Sequence, residues 1–216
     1  MKNKIKTLLI ACGLITNVAL ASNSVNVGYA SDFFYRGSQK SEETIHSSLI
    51  LTKDLGGLSG RAHACSNQAV NTGSDSYHMG AGLSKSFSDD LISLYGGLNH
   101  FESVPGDAIS EIELSISVNS LLNPKISAFR DLDKTLYTLE VGVSHSIDVS
   151  FADLNLEASA GNTELTSSTD RSYYLLGAAL SKSLGESTDL SGSIDYIDAD
   201  DIDEEFVFST ALTLKF

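Results

Sequence analysis

The last twelve residues of the chain restrict its fold more than any other stretch. Side chains in a β-strand alternate between two faces, and here one face collects nearly all of the large apolar side chains. That face holds Phe206, Phe208, Thr210, Leu212, Leu214 and Phe216, and the other holds Val207, Ser209, Ala211, Thr213 and Lys215. An edge strand this apolar would aggregate in water, so it must be paired and covered.

A closed β-barrel in a membrane meets both needs, because every strand pairs with two neighbours and the apolar face meets lipid. The alternative is the final strand of a soluble β-sandwich. The ending also resembles the C-terminal strand of bacterial outer-membrane β-barrels. That resemblance implies recognition by the barrel-assembly machinery at alternate apolar positions and a final aromatic residue, namely Phe208, Leu212, Leu214 and Phe216.

The first 21 residues have the organisation of a cleavable signal peptide. Lysines at positions 2, 4 and 6 form a basic start, residues 7–18 are largely apolar, and Ala-Leu-Ala at 19–21 matches the small-x-small cleavage pattern. We therefore predict a signal peptide over 1–21 and an outer-membrane barrel over 22–216. The residues before Cys12 also look like a lipobox, but cleavage there would leave an apolar segment shorter than the roughly seven residues that a signal needs.

Composition excludes several classes of function. The whole chain has a net charge of -14, and removing the predicted signal peptide takes away three lysines and no acids, which leaves -17. Such a balance disfavours binding to nucleic acid, whose phosphates need cations. Cys65 is the only cysteine after position 21, so neither an intramolecular disulfide nor a multi-cysteine metal site is expected. We predict no cofactor and no metal.

The alternation predicts an all-β fold, a transmembrane antiparallel up-and-down β-barrel of about twelve strands. No apolar run after the predicted signal peptide reaches eighteen residues, so any crossing of a membrane has to be made by strands. An even number of strands is typical of single-chain bacterial barrels, and ten or fourteen remain open. The predicted strands are 24–36, 44–54, 58–69, 76–87, 90–101, 109–119, 124–131, 134–147, 152–162, 172–183, 188–198 and 205–216.

The connections between these strands alternate in character. Those after odd-numbered strands are polar and often acidic, whereas those after even-numbered strands are mostly tight turns. With both ends of the mature chain in the periplasm, the first set forms the outer loops. Because even these loops are short, a plug or a long constricting loop folded into the lumen is hard to build.

Aromatic residues near the predicted strand ends match the interfacial girdles of membrane proteins, where a ring contacts both acyl chains and headgroups. The residues concerned are Tyr29, Phe33, Phe34, Tyr35, Tyr77, Phe87, Phe101, Tyr137, Tyr173, Tyr174, Tyr196, Phe206 and Phe216. Tryptophan, which is usual in such girdles, is absent from the sequence.

A segment near the start of the mature chain matches a known pattern. Residues 27–41 read Val-Gly-Tyr-Ala-Ser-Asp-Phe-Phe-Tyr-Arg-Gly-Ser-Gln-Lys-Ser. They resemble the opening signature of the TorF-type porin family, Ser-Asp-Tyr-aromatic-aromatic-Arg-Gly-x-Ser-Gln. The matching residues are Ser31, Asp32, Arg36, Gly37 and Gln39, whereas Phe33 replaces the tyrosine and one residue is missing after Gly37. The resemblance implies a Gram-negative outer-membrane barrel that conducts solutes.

If the alternation holds, the inward face carries charges that a permeating solute would meet. The candidate pore-lining residues are Asp32, Arg36, Arg61, Glu111, Glu113, Glu140, Glu157 and Asp195. Acids outnumber bases, and the low-dielectric wall focuses their field, so we predict a mild preference for cations. Asp32 and Arg36 have an alternative role in fixing the first hairpin. The predicted function is a porin-like channel for passive diffusion of small hydrophilic solutes or ions.

Other functions remain as alternatives. The barrel could have a non-conducting structural or ligand-binding role, with calcium held by the acids around the last outer loop. These acids are Asp198, Asp200, Asp201, Asp203, Glu204 and Glu205, which lack the glycine-punctuated spacing of a dedicated calcium loop. An enzyme would need a serine beside an oriented base, and no Gly-x-Ser-x-Gly elbow occurs, so we predict no enzyme. The expected partners are outer-membrane lipid, lipopolysaccharide, the barrel-assembly machinery and small solutes.

Overall fold

The computed structural model describes residues 22–106, 108–166, 168–200 and 202–216, and the predicted signal peptide lies outside them. Twelve antiparallel strands make up nearly all of this part of the chain. They are β1 (Ser22–Tyr35), β2 (Ser38–Asp54), β3 (Ser59–Ala69), β4 (Asp75–Phe87), β5 (Ile92–Val104), β6 (Ala108–Val118), β7 (Lys125–Asp131), β8 (Tyr137–Asp148), β9 (Asp153–Thr166), β10 (Thr169–Gly185), β11 (Thr188–Ala199) and β12 (Ile202–Lys215). No helix in the described ranges is long and apolar enough to cross a membrane.

The strands close into one barrel. Each strand pairs with its neighbours in sequence, and β1 pairs with β12 from Ser24 opposite Lys215 to Ala30 opposite Ser209. Closure satisfies the edges that an open sheet would leave unpaired. The predicted all-β barrel of twelve strands is therefore confirmed.

The outside of the barrel is apolar. The side chains of Leu114, Leu98 and Leu176 are 62%, 58% and 56% exposed, and similar leucine, isoleucine, valine and phenylalanine side chains project from the neighbouring strands. A β-sandwich would bury such residues between its two sheets, so the sandwich alternative is wrong. The residues that alternate with them point into the barrel and are mostly small or polar.

The two ends of the barrel differ. We call the end that holds the first residue of β1 and the last residue of β12 the near end, and the opposite end the far end. Several strands extend further toward the far end than the sequence predicts: β2 begins at Ser38, and β9 and β10 continue to Thr166 and from Thr169. Polar residues in these segments still pair, because ladder hydrogen bonds join backbone groups and do not require apolar side chains.

Candidate functional site

The first hairpin leaves the barrel wall at the far end and enters the lumen. Arg36 and Gly37 join β1 to β2, and their φ angles of 51° and 70° have the positive sign that a two-residue type I′ turn requires. The ring of Tyr35 stacks on Phe101 of β5, with 4.1 Å between the ring centroids. Because β5 lies four strands from β1, about 19 Å along the wall, this contact is made across the lumen. We call residues 34–39 the hairpin tip.

A β-bulge at the base of the hairpin tip accounts for the bend. The register between β1 and β2 shifts between Phe33 and Phe34, which leaves Lys40 as an extra residue in β2. A bulge bends its strand and increases the local twist. The short connections disfavour a plug or a long constricting loop, and the bend in two paired strands brings the hairpin into the lumen without either.

Arg36 joins the hairpin tip to Glu111 on β6. Two guanidinium nitrogens donate to the two carboxylate oxygens at 2.6 and 2.5 Å, and the side chains are only 12% and 3% exposed. The Nη1 atom also donates to Thr138 Oγ1 at 3.3 Å, and the guanidinium carbon lies 4.2 Å from the ring centroid of Phe129. A bidentate Arg–carboxylate pair is a strong and directional contact, so Arg36 fixes the position of the tip.

Gly37 brings the hairpin tip against another part of the wall. A Cβ atom added to Gly37 would lie 2.7 Å from Cβ of Tyr173 on β10 and 3.0 Å from Cβ of Ala199 on β11. Its positive φ and this close approach both favour glycine. The tip therefore contacts β5 and β6 on one side of the lumen and β10 and β11 on the other.

The hairpin tip separates two cavities. The first, of about 630 Å³, extends from the tip toward the middle of the barrel, and we call it the chamber. The second, of about 320 Å³, opens at the far end, and we call it the vestibule. Tyr35 and Arg36 line both cavities. Tyr35 and Arg36 therefore lie between the chamber and the vestibule.

One side of the chamber is acidic. The carboxylates that line it are Asp32, Glu140, Glu157 and Asp195. Glu157 on β9 and Asp195 on β11 converge over Gly177 of β10: a Cβ atom added there would lie 2.9 Å from Glu157 Oε1 and 2.6 Å from Asp195 Oδ1. Because Gly177 has no side chain, both carboxylates reach the same part of the chamber.

The opposite side of the barrel, β2 to β4, carries histidines and a thiol in place of carboxylates. His46, Cys65 and His78 line the chamber there, and His46 Nε2 lies 2.9 Å from Asn26 Oδ1. The rings of His63 and His78 make an edge contact with 4.7 Å between centroids. The chamber is therefore asymmetric, with its carboxylates concentrated on one wall.

The structure brings together some of the predicted pore-lining residues. Arg36 pairs with Glu111, whereas Glu113 accepts a hydrogen bond from Asn99 Nδ2 at 3.0 Å and lies 3.6 Å from Lys125 Nζ. Arg61 stands opposite Gly82 on β4 and forms no ion pair within the described parts of the chain. The remaining four, Asp32, Glu140, Glu157 and Asp195, line the chamber. Their effect on ion selectivity stays a prediction.

Three aromatic residues that the sequence assigns to the interfacial girdles lie inside the barrel. Phe101 and Tyr173 are only 3% and 7% exposed, and Tyr35 stacks on Phe101. The girdle assignment is wrong for all three. The alternation of strand faces indicates an inward orientation for two of them, because Phe101 lies on the same strand face as Gly97 and Tyr173 on the same face as Gly177. It does not indicate one for Tyr35, which lies beyond the β-bulge.

The acidic residues of the last far-end loop contact the barrel ends. Asp200 Oδ2 accepts the Ser172 backbone N–H at 2.7 Å, and Glu204 Oε2 accepts the Tyr196 hydroxyl at 2.9 Å. Asp201 lies outside the described residues. In the ranges that the structure describes, no three His, Cys, Asp or Glu side chains are arranged to hold a metal ion.

One histidine on the barrel contacts a serine hydroxyl. His100 Nδ1 lies 3.0 Å from Ser110 Oγ, directly across the β5–β6 pair. No hydrogen-bond partner orients the other ring nitrogen within the described part of the chain. A nucleophilic serine needs a base that is itself oriented, so this contact lacks the third group of a triad.

Neither a protein-family model nor a curated protein matches this sequence. Solved structures match its fold. The KdgM porin aligns with a TM-score of 0.60 and 11% identity over 89% of this chain and 99% of that chain. The NanC porin aligns with a TM-score of 0.59 and 11% identity over 90% of this chain and 100% of that chain.

An outer-membrane channel from Pseudomonas putida F1 is similar to the same degree, with a TM-score of 0.60 and 11% identity over 92% of this chain and 97% of that chain. Similarities at this level of identity establish the fold, a barrel like those of two porins and an outer-membrane channel. The resemblance of residues 27–41 to the TorF-type family is supported by no family model.

Proposed function

We propose that this chain is a porin-like channel of a bacterial outer membrane, through which small hydrophilic solutes and ions diffuse with a mild preference for cations. One observation carries the proposal: the barrel is apolar outside and encloses a chamber lined by carboxylates, hydroxyls and imidazoles. Lipid suits the first surface and water the second. The porin and channel structures with the same fold support this function, as does the TorF-like segment.

The proposal fixes the orientation of the barrel. Residues 1–21 direct export, the near end faces the periplasm, and the far end faces the outside of the cell. The apolar surface contacts outer-membrane lipid and lipopolysaccharide. Most near-end connections are tight turns, which is typical of the periplasmic side of bacterial barrels.

The preference for cations follows from the uneven charge of the chamber. Because Glu111 neutralises Arg36, the hairpin tip exerts only a weak electric field on a passing ion. Glu157 and Asp195 converge on one place without a cationic partner in the described residues. Charges beside a low-dielectric wall act more strongly on ions than they do in bulk water, so the acidic wall attracts cations and repels anions.

Recording the current through the purified protein in a planar bilayer under a KCl gradient tests this proposal. We expect a reversal potential that favours potassium. Glu157→Gln combined with Asp195→Asn should lower the cation-to-anion permeability ratio by more than about fivefold, because two charges are removed and even one charge near 4 Å contributes about 1 kcal/mol in water-like surroundings.

A matched control is Asp90→Asn combined with Asp148→Asn, which removes the same charge at the near end, from the β4–β5 connection and from the last residue of β8. This control should change the ratio much less. A preference for anions in the unsubstituted protein would contradict the proposed selectivity. A folded barrel that conducts neither with nor without its hairpin tip would favour the non-conducting structural or ligand-binding alternative.

A further inference from the structure

We propose that the hairpin tip is a gate, which is closed while Arg36 pairs with Glu111 and opens when the tip swings back toward the wall. The inference rests on the proposed channel function. Tyr35 and Arg36 line both the chamber and the vestibule, so they stand in the path of a solute. With the tip in this position Tyr35 and Arg36 lie between the two cavities, so a movement of the tip toward the wall widens the path that joins them.

Side chains hold the hairpin tip across the lumen. Arg36 and Tyr35 make the contacts with β5 and β6, whereas the backbone pairs of the tip, Phe34 with Gln39 and Tyr35 with Ser38, lie within the hairpin. A movement of the tip therefore leaves its own ladder intact. The tip is a short paired unit that can move as one piece.

The base of the hairpin tip is fixed, which confines the movement to the residues beyond the bulge. The Ser74 N–H donates to the Lys40 carbonyl at 2.9 Å, and the Glu42 N–H donates to the Thr72 carbonyl at 3.1 Å. These bonds tie β2 to the β3–β4 connection immediately behind the bulge. Bulges change the direction of a strand, so this one provides a hinge between a fixed base and a mobile tip.

The Arg36–Glu111 pair is suited to a reversible contact. Both side chains are shielded from water in the observed position, and their mutual attraction offsets the loss of hydration. When the tip withdraws, both groups regain water from the lumen. Separation thus exchanges an ion pair for hydration, so moving the tip costs less free energy than the attraction of the pair alone.

Glu111→Gln and Arg36→Ala test the gate in single-channel recordings. Each should raise the ratio of open to closed time about tenfold or more, the change expected when a hydrogen bond to a charged group is lost. Glu111→Gln keeps the volume of the side chain and removes its charge. The control is Lys215→Ala, which breaks an ion pair with Asp189 at the near end and should leave the open fraction unchanged. Heat-modifiable migration in gels verifies that every variant is folded.

A variant in which two glycines replace residues 34–39 separates this proposal from the channel function. We expect it to conduct continuously. If the shortened variant conducts continuously but Glu111→Gln and Arg36→Ala open and close like the unsubstituted protein, the result supports the channel function and contradicts the gate. An unsubstituted protein that conducts as continuously as the shortened variant also overturns the gate. A shortened variant that is folded and never conducts overturns the channel function itself.

Discussion

Replacing Leu114 with arginine should destabilise the barrel in lipid by about 2–4 kcal/mol, the cost of an arginine on the lipid face of a barrel near the bilayer midplane. Leu114 lies midway along β6, and its side chain is 62% exposed on the outside of the barrel. The substituted guanidinium would meet hydrocarbon, where no water is present to hydrate its charge. Urea-induced unfolding in lipid vesicles, followed by heat-modifiable migration, measures the change in the free energy of unfolding.

Ser115→Arg is the matched control, because Ser115 is the next residue of the same strand and points into the lumen. There the added charge meets water and the neighbouring glutamate Glu113 on the same face, so we expect a change much smaller than for Leu114→Arg. Equal costs at the two positions would contradict the inside-out arrangement of apolar and polar faces. A negligible cost at Leu114 would contradict immersion of this surface in lipid.

The opposite orientation of the Leu114 and Ser115 side chains, one outward and one inward, is the part of the structure that the sequence predicts best. The alternation of side chains between the two faces of a strand follows from the local geometry of an extended backbone, so it does not depend on the rest of the fold. It is clear wherever large apolar and charged residues alternate, as in β6, and it predicts both the outer surface and the acids of the chamber. Closure into a barrel then follows from the need to pair every strand.

The hairpin tip could not be predicted in the same way. Its position depends on one extra residue, Lys40, whose side chain gives no sign that a bulge occurs there. Arg36 and Glu111 are both predicted pore-lining residues, but 75 residues separate them and only the curvature of the closed barrel brings them together. Gly37 is expected at the exit from the first strand, and its packing against Tyr173 is a consequence of the bend.

Deleting Phe216 should remove most of the folded barrel from cells and still leave a protein that refolds in detergent. The deletion takes away one hydrogen bond between strands, from the Phe216 N–H to the Asn23 carbonyl at 3.1 Å, which contributes about 1 kcal/mol. The rest of the β1–β12 ladder, from Ser24 to Ala30 of β1, remains. We propose that the assembly machinery recognises the final aromatic residue together with Phe208, Leu212 and Leu214, and that the larger effect of the deletion therefore arises before folding.

Heat-modifiable migration of the membrane fraction measures folding in cells, and the same assay on purified protein measures refolding in detergent. Lys215→Ala is the control, because it breaks the ion pair between Lys215, which is next to Phe216, and Asp189 on β11, and it keeps the final phenylalanine. It should assemble normally in cells. If the deletion and the control assemble equally well, Phe216 is not a recognition residue. If the deletion also prevents refolding in detergent, its role lies in closing the barrel, since no assembly machinery is present there to recognise it.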